Sequence, residues 1–237
     1  MCIGAVIFSR LDSSRLPGKA LLDISGVCLL GRVIERAKCI KGVERIILAT
    51  SSRGIDDKIC DFGKSQGVDI YRGSVDDVAG RALGVCRKFR LKKFARLCGD
   101  RPFFSPELVS QLIKIHNELD VDLVTTMFPR TYPPGLTTEI ISKNALGRAL
   151  ARTNATEDRE HVTNYFYRQP KDFTIVNVGV PDYLDLDGVH LVVDNDYDLA
   201  RARWIGSHID TNCDDMHEII YLAKEWNKRN NLLKDAE

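Results

Sequence analysis

Short apolar runs alternate with segments of helical periodicity along the first 126 residues of this 237-residue chain. Strands are predicted at residues 4–8, 45–50, 68–73, 93–100 and 122–126, and helices at 29–40, 56–66, 77–89 and from Pro106 onward. This alternation predicts an α/β fold with a mostly parallel sheet and helices on both faces. Such sheets bind ligands at the carboxyl ends of their strands, so the loops 9–20, 50–55, 72–77 and 99–105 are expected to meet there.

The alternation breaks between residues 127 and 192, where Pro-rich turns appear. Strands are predicted at 137–141 and 173–178, a helix near 143–151, and a helix over 158–168 within a charged stretch. We interpret this segment as an insertion or cap over the sheet, within a single domain. Residues 191–194 are expected to return to the sheet, and helices at 198–209 and 213–229 to close the fold.

Composition and charge exclude several classes of protein. The chain has 34 basic and 33 acidic residues, a net charge of +1, which argues against a protein that coats nucleic acid. No apolar run approaches the roughly 20 residues of a membrane helix, and the start lacks the features of a signal peptide. Seven cysteines without a Cys-x-x-Cys pair favour free thiols in a reducing cytoplasm. The net charge and the lack of long apolar runs predict neither nucleic-acid nor membrane partners.

A basic loop directly follows the first strand. Arg10, Arg15 and Lys19 lie within eleven residues, and Ser14 and Gly18 allow backbone N–H groups to approach an anion. These cations and N–H groups predict a phosphate-binding loop, although it lacks the glycine and the Ser/Thr of a Walker A motif. The alternative is a solvated basic loop.

Two aspartates follow later apolar strands. Asp100 lies in a Gly-Asp-Arg-Pro turn, and Asp194 ends the run 191–194. Asp100 has the alternative role of a turn cap, whereas Asp196 or Asp198 is expected to cap the helix that follows, which leaves Asp194 as the ligand candidate. Two carboxylates facing a cationic loop suit Mg²⁺, which fills its remaining sites with phosphate oxygens and water.

The motifs together resemble one family. SSRLPGK, LLGRVIERAK, ILAT, RGSVDDV, GDRPFFSPELV, PPGLTTEI, REHVTNYF and VDNDYDL occur in the order typical of the cytidylyltransferases that make CMP-activated sugars. Within that family the chain resembles CMP-Kdo and CMP-acylneuraminate synthetases, and above all the spore-coat polysaccharide biosynthesis protein F group. The resemblance covers about residues 3–205.

The resemblance implies a Rossmann-like fold of the nucleotide-diphospho-sugar transferase type. Its nucleotide-binding part would be about 1–126 and 190–237, and its inserted region, about 127–189, would bind the acceptor or form a dimer. The implied reaction is Mg²⁺-dependent transfer of CMP from CTP to an acidic sugar, with release of pyrophosphate, for surface polysaccharide synthesis. Relatives of this kind are commonly homodimers.

The resemblance also implies site residues, matched by motif. The implied catalytic residues are Arg15, Lys19 and Asp100; the metal ligands are Asp100 and Asp194; the nucleotide-binding residues are Arg10, Ser14, Arg15, Lys19, Ala49, Thr50, Ser51, Arg72, Gly73, Ser74 and Asp77; and the acceptor-binding residues are Tyr132, Gly135, Glu139, Arg159, Glu160 and His161. His161 is open to three interpretations: a general base, a group that orients the acceptor, or a helix cap.

The acceptor is the least determined part of this hypothesis. Thr137 stands where the protein F group usually has an acid. A sugar 1-phosphate, or a non-sugar phosphate or phosphonate, therefore stays open as an acceptor. A third hypothesis is a non-catalytic protein that binds nucleotide without turnover.

Overall fold

A computed structural model of the chain describes residues 2–209 and 215–234. Its strands are β1 (Ile3–Phe8), β2 (Asp23–Ile24), β3 (Val27–Cys28), β4 (Arg45–Ser51), β5 (Asp69–Gly73), β6 (Lys93–Cys98), β7 (Leu123–Thr125), β8 (Glu139–Ser142) and β9 (Ile175–Asn177). Its helices are α1 (Leu29–Lys38), α2 (Asp57–Ser65), α3 (Val78–Lys88), α4 (Pro106–Leu119), α5 (Lys143–Arg152), α6 (Thr156–Glu160), α7 (Asn164–Arg168), α8 (Asp196–Gly206) and α9 (Met216–Lys234).

Seven of the strands form one sheet in the order β5-β4-β1-β6-β8-β7-β9, and β2 pairs with β3 in a separate hairpin. β1 is parallel to both β4 and β6, and β4 is parallel to β5. β8 is antiparallel to β6 and β7, whereas β7 and β9 are parallel. The predicted mostly parallel α/β sheet is confirmed.

The sheet separates two apolar cores, as the alternation of side chains along a strand requires. Ala5 and Ile7 of β1 face the core formed with α1, α2, α4, α8 and α9. Val6 faces the core formed with α3, α5 and α7. Both faces are thus covered by helices, which leaves the edges of the sheet at the strand ends for binding.

The segment 127–192 contributes strands to the main sheet. β8 pairs with β6 on one side and β7 on the other, and β9 extends the sheet beyond β7. The expectation that residues 191–194 form a strand is wrong. Leu191 N–H donates to Pro134 O and Val193 N–H donates to Asp100 O, both at 2.9 Å, so this segment bonds to turns. It does not join the sheet at β6, because both edges of β6 are already paired, one with β1 and the other with β8.

The single helix expected over 158–168 is two short helices. α6 ends at Glu160, because His161 takes an extended backbone conformation, and α7 begins at Asn164. Buried Asp158 accepts hydrogen bonds from Asn164, Arg168 and Thr153, which holds this break in place. Part of the helix predicted over 213–229 falls outside the described residues.

The cysteines only partly follow the expectation. Cys2, Cys28, Cys60, Cys86 and Cys98 are free thiols, whereas Cys39 is disulfide-bonded. The prediction of a free thiol is therefore wrong at Cys39.

No helix in the described ranges is long and apolar enough to cross a membrane.

Gly99 allows the ends of β1 and β6 to approach closely. Its N–H donates to Phe8 O at 2.8 Å, and a Cβ there would lie 2.6 Å from Ser9 Cβ. Gly99→Ala is expected to lower the free energy of unfolding by about 1–3 kcal/mol, measured by urea denaturation. Gly147→Ala is the control, because a Cβ there meets nothing within 4 Å and alanine favours helix α5. Equal stability of Gly99→Ala and the wild type would contradict this packing.

Candidate active site

A cavity of about 620 Å³ opens at the edge where the parallel strands β1, β4, β5 and β6 have their carboxyl ends. It is lined by the loop after β1, the segment 75–81, the turn after β6, residues near α6, and Asp194, which precedes the N-cap of α8. The lining residues are Phe8, Ser9, Arg10, Asp12, Ser13, Ser14, Arg15, Lys19, Ala20, Val75, Asp76, Val78, Arg81, Arg96, Gly99, Asp100, Thr156, Glu160, His161 and Asp194. The structure thus brings the basic loop, Asp100 and Asp194 together.

Gly18 shapes the end of the basic loop. Its φ of 73° is left-handed, and its N–H donates to Leu11 O at 2.9 Å, which folds the loop back on itself. A residue with a Cβ is strained in this conformation. The turn directs Lys19, whose side chain is only 13% exposed, into the cavity.

Lys19 joins the two aspartates. Its Nζ lies 2.8 Å from Asp194 Oδ1 and 3.5 Å from Asp100 Oδ2, and it also donates to Val193 O at 2.8 Å. Arg15 Nη2 lies 2.8 Å from the other oxygen of Asp194. Burial alone would raise the pKa of Asp194, but Lys19 and Arg15 outweigh it and lower the pKa, so this carboxylate is ionised at neutral pH.

The backbone after β6 and before α8 presents the two carboxylates. The expectation that Asp196 or Asp198 caps α8 is wrong, because Asn195 Oδ1 accepts from Asp198 N–H at 2.9 Å. Asp198 instead accepts from Asp194 N–H at 3.0 Å and pairs with Arg201, which fixes the backbone of Asp194.

Asp100 and Asp194 are chemically suited to a divalent cation. They are two carboxylates beside open cavity space, and Mg²⁺ takes one or two carboxylates and completes its shell with phosphate oxygens and water. No cluster of three or more His, Cys, Asp or Glu side chains that could hold a metal alone exists within residues 2–209 and 215–234. The donor set therefore fits a cation that arrives with a phosphate ligand.

Asp56 anchors the basic loop to β4. Its buried carboxylate accepts from Leu11 N–H at 2.8 Å and from the hydroxyl of Ser51. Asp12, in the same loop, pairs with Arg53 at 2.5 Å and with Arg10 at 3.3 Å. Ser51 is thus placed behind the loop and does not line the cavity.

Two arginines of the cavity were missed from the sequence. Arg81 of α3 donates to Ser74 O at 2.9 Å, and Arg96 of β6 donates to Glu139 Oε2 at 2.6 Å. The Nε of each is buried without a hydrogen-bond partner among the described residues. Burial, together with Arg10, lowers the pKa of Arg81, an effect that a bound anion would offset. The only sequence signal is an arginine inside an otherwise apolar strand or helix face, which does not by itself identify a binding site.

Glu139 lies behind Arg96 and outside the cavity. Its buried carboxylate pairs with Arg96 and accepts from the hydroxyl of Tyr167 at 2.5 Å, and Tyr167 in turn accepts from Thr125 at 2.7 Å. Burial alone would raise the pKa of Glu139, but the charge of Arg96 and these hydrogen bonds lower it. Glu139 therefore orients an arginine that does face the cavity.

The other residues assigned to base and ribose do not line this cavity. Ala49 and Thr50 are fully buried in β4, and Arg72 pairs with Asp57 at 2.6 Å on the outside of the fold. The members that line a separate cavity of about 530 Å³ are Gly73, Ser74, Asp77 and the acceptor candidate Arg159. In that second cavity Asp77 caps α3 and pairs with Arg159 at 3.3 Å.

The acceptor candidates divide in the same way. Glu160 and His161 line the main cavity. Tyr132 is buried, and Gly135, with a φ of 101°, packs so closely on Leu191 that a Cβ would lie 2.6 Å from its carbonyl carbon. Thr137 is also buried, where it accepts from Arg101 at 2.7 Å.

Comparison with known proteins agrees with this geometry. A family model described as cytidylyltransferase matches residues 4–234. The spore coat polysaccharide biosynthesis protein SpsF of Bacillus subtilis is 29% identical, covering 84% of this chain and 85% of that protein. The 3-deoxy-manno-octulosonate cytidylyltransferase of Chlamydia pneumoniae is 30% identical, covering 78% and 68%.

The fold also matches a solved structure of a cytidylyltransferase from Leptospira borgpetersenii. The TM-score is 0.89, with 26% identity over 96% of each chain. The predicted family is confirmed: this chain belongs to the cytidylyltransferase family and is a nucleotidyltransferase.

Proposed function

We propose that the chain transfers CMP from CTP to an acidic sugar, such as a 2-keto-3-deoxy sugar acid, and releases pyrophosphate in a Mg²⁺-dependent reaction for surface polysaccharide synthesis. The observation that carries the proposal is the cluster of Lys19, Arg15, Asp100 and Asp194 in one cavity at the carboxyl edge of the sheet. Membership of the cytidylyltransferase family supports the nucleotide and the type of reaction.

The basic loop is proposed to bind the triphosphate. Arg10, Arg15 and Lys19 supply positive charge, and Ser14 supplies a hydroxyl, all on the wall of one cavity. Asp100 and Asp194 would hold Mg²⁺, which, when bound, neutralises charge on the phosphate oxygens. Cations fixed before reaction stabilise the negative charge that develops as pyrophosphate leaves.

Arg81 and Arg96 favour an acidic acceptor. Each has a buried Nε without a partner among the described residues, and both line the cavity that holds the aspartates. Guanidinium groups bind carboxylates with high geometric specificity. We propose that they hold the carboxylate of the sugar acid, while an acceptor oxygen attacks the α-phosphorus and the P–O bond to pyrophosphate breaks.

The same arginines keep a phosphorylated acceptor as a second candidate, because guanidinium binds phosphate as well as carboxylate. The deciding experiment incubates the chain with CTP, Mg²⁺ and a panel of 3-deoxy-2-keto sugar acids, sugar 1-phosphates and phosphonates, and follows pyrophosphate. Turnover only with sugar acids supports the first candidate, and turnover only with phosphates supports the second. CTP binding without pyrophosphate release in any arm would contradict both and favour a non-catalytic nucleotide-binding protein.

Assembly as a homodimer and a cytoplasmic location stay predictions.

CTP is expected to stabilise the chain more than UTP, ATP or GTP. At about 100 times its Kd, a ligand adds roughly 2.7 kcal/mol to the free energy of unfolding, a rise in Tm of roughly 5–10 °C for a chain of this size. A thermal melt with each nucleotide in the presence of Mg²⁺ measures it. Lys19→Met is the control and should lose most of the shift. Equal shifts with all four nucleotides would contradict a preference for CTP.

A further inference from the structure

A third cavity, distinct from the one at Asp77 and Arg159, lies at the opposite edge of the sheet from Asp100 and Asp194. Its volume is about 600 Å³, and its lining includes Lys93, the first residue of β6, together with His116 of α4. β6 leads from Lys93 to the turn at Asp100, and a strand rises about 3.3 Å per residue, so the two sites are roughly 20 Å apart. The cavity is therefore separate from the candidate active site.

The charge of this cavity is strongly unbalanced. Five cations line it, Arg87, Arg90, Lys92, Lys93 and Lys143, against one acid, Asp120. In the candidate active site, by contrast, Arg15 and Lys19 both pair with Asp194. None of these five has an ion pair within the residues that the structure describes. Their mutual repulsion is relieved by an anion placed among them.

The floor of the cavity is a buried pair without a carboxylate. Lys93 and His116 are 4% and 1% exposed, and Lys93 Nζ lies 3.0 Å from His116 Nδ1 and 3.4 Å from His116 O. Both of these acceptors are neutral. Burial lowers the pKa of Lys93, and the charge of Asp120 only partly offsets it, so a bound anion would stabilise the ammonium further.

His116 adds a second donor to the floor of the cavity. Because an ammonium can only donate, Nδ1 of His116 accepts from Lys93, and the ring proton is on Nε2. That Nε2 is buried and makes no hydrogen bond of normal geometry among the described residues, although the nearby backbone of Asp122 acts on the ring. Burial, together with the charge of Lys93, lowers the pKa of His116 to about 4, so the ring is neutral at pH 7.

We propose that this cavity binds a small multivalent phosphate anion, either pyrophosphate or a phosphate monoester. Lys93 and His116 would donate to its innermost oxygens. The other four cations, which we call the rim, would hold the outer oxygens: Arg87, Arg90, Lys92 and Lys143. The proposal rests on this cavity alone and does not require the reaction proposed for the other edge.

The test titrates the full-length chain by calorimetry, at low salt and without divalent metal, with pyrophosphate, inorganic phosphate, glucose 1-phosphate and sulfate in separate arms. Wild type is expected to show two pyrophosphate sites. Arg90→Ala/Lys143→Ala, on the rim, should weaken one of them at least tenfold, since a hydrogen bond to a charged group contributes about 1.5–3 kcal/mol. Lys19→Met should weaken the other and leave the rim site unchanged.

The arms also identify the ligand. Tighter binding of pyrophosphate than of glucose 1-phosphate assigns the site to pyrophosphate, and the reverse assigns it to a monoester. Sulfate as tight as either would overturn the proposal, as would a rim variant that is folded by circular dichroism and titrates like wild type. Lys93→Met tests the floor, and its melting curve separates lost binding from lost folding.

Discussion

Asp100→Asn is expected to lower the rate of pyrophosphate release from CTP by roughly 10²–10³-fold while the fold is kept. The carboxylate is 31% exposed and contacts Lys19 Nζ at 3.5 Å, so folding depends little on it. Asparagine keeps the size of the side chain and removes the charge that is proposed to hold the cation. The loss should appear mainly in kcat, because the charge acts as the phosphorus centre reacts.

Asp57→Asn is a matched control. Asp57 is an exposed aspartate that pairs with Arg72 outside the cavity, so its replacement should leave turnover unchanged. Urea denaturation of both variants should give free energies of unfolding close to that of wild type. Wild-type turnover in Asp100→Asn would remove this carboxylate from the mechanism.

The second large effect is expected at Glu139. Glu139→Gln is expected to lower the free energy of unfolding by about 3 kcal/mol, because it leaves the Arg96 guanidinium, only 20% exposed, without its counter-charge. Glu139→Leu/Arg96→Met removes both charges and should recover most of the loss. Asp172→Asn, which breaks the exposed pair with Arg152, should cost less than about 1 kcal/mol.

The pH dependence of the free energy of unfolding tests whether the Glu139–Arg96 ion pair causes this loss of stability. Because the pKa of Glu139 is lowered in the folded chain, its stabilising contribution is complete above the unfolded pKa, about 4.3, and is lost as the pH falls through the folded value. The stability difference between wild type and Glu139→Gln should thus stay constant from pH 8 to 5 and narrow only below about pH 4. A difference that shrinks near pH 6 would contradict the ion pair as its source.

The sequence was most informative where position along a strand decides the outcome. The ends of parallel strands meet at one edge, so the sequence alone places Lys19, after β1, close to Asp100, after β6. The apolar run 191–194 was misassigned, because a buried extended segment and a buried strand have the same composition. Whether such a run pairs depends on which strand edges are still free.

Side-chain direction was the part that the sequence could not supply. Glu139 and Arg96 are paired across the antiparallel strands β6 and β8, and no local pattern predicts that pairing between distant segments. Thr50 and Ser51 follow a strand pattern that ends near the expected base site, yet both are buried within the fold. Arg81 and Arg96 were hidden because a lone arginine among apolar residues does not identify a binding site.

The most direct test of the central claim is the stoichiometry of the products with CTP, Mg²⁺ and a 3-deoxy-2-keto sugar acid. Mass spectrometry identifies the nucleotide product while pyrophosphate is measured in the same sample. The account predicts one CMP-sugar for each pyrophosphate released, and neither product with Asp100→Asn. Consumption of CTP to CDP and phosphate, or binding of CTP with no pyrophosphate from any acceptor, would contradict it.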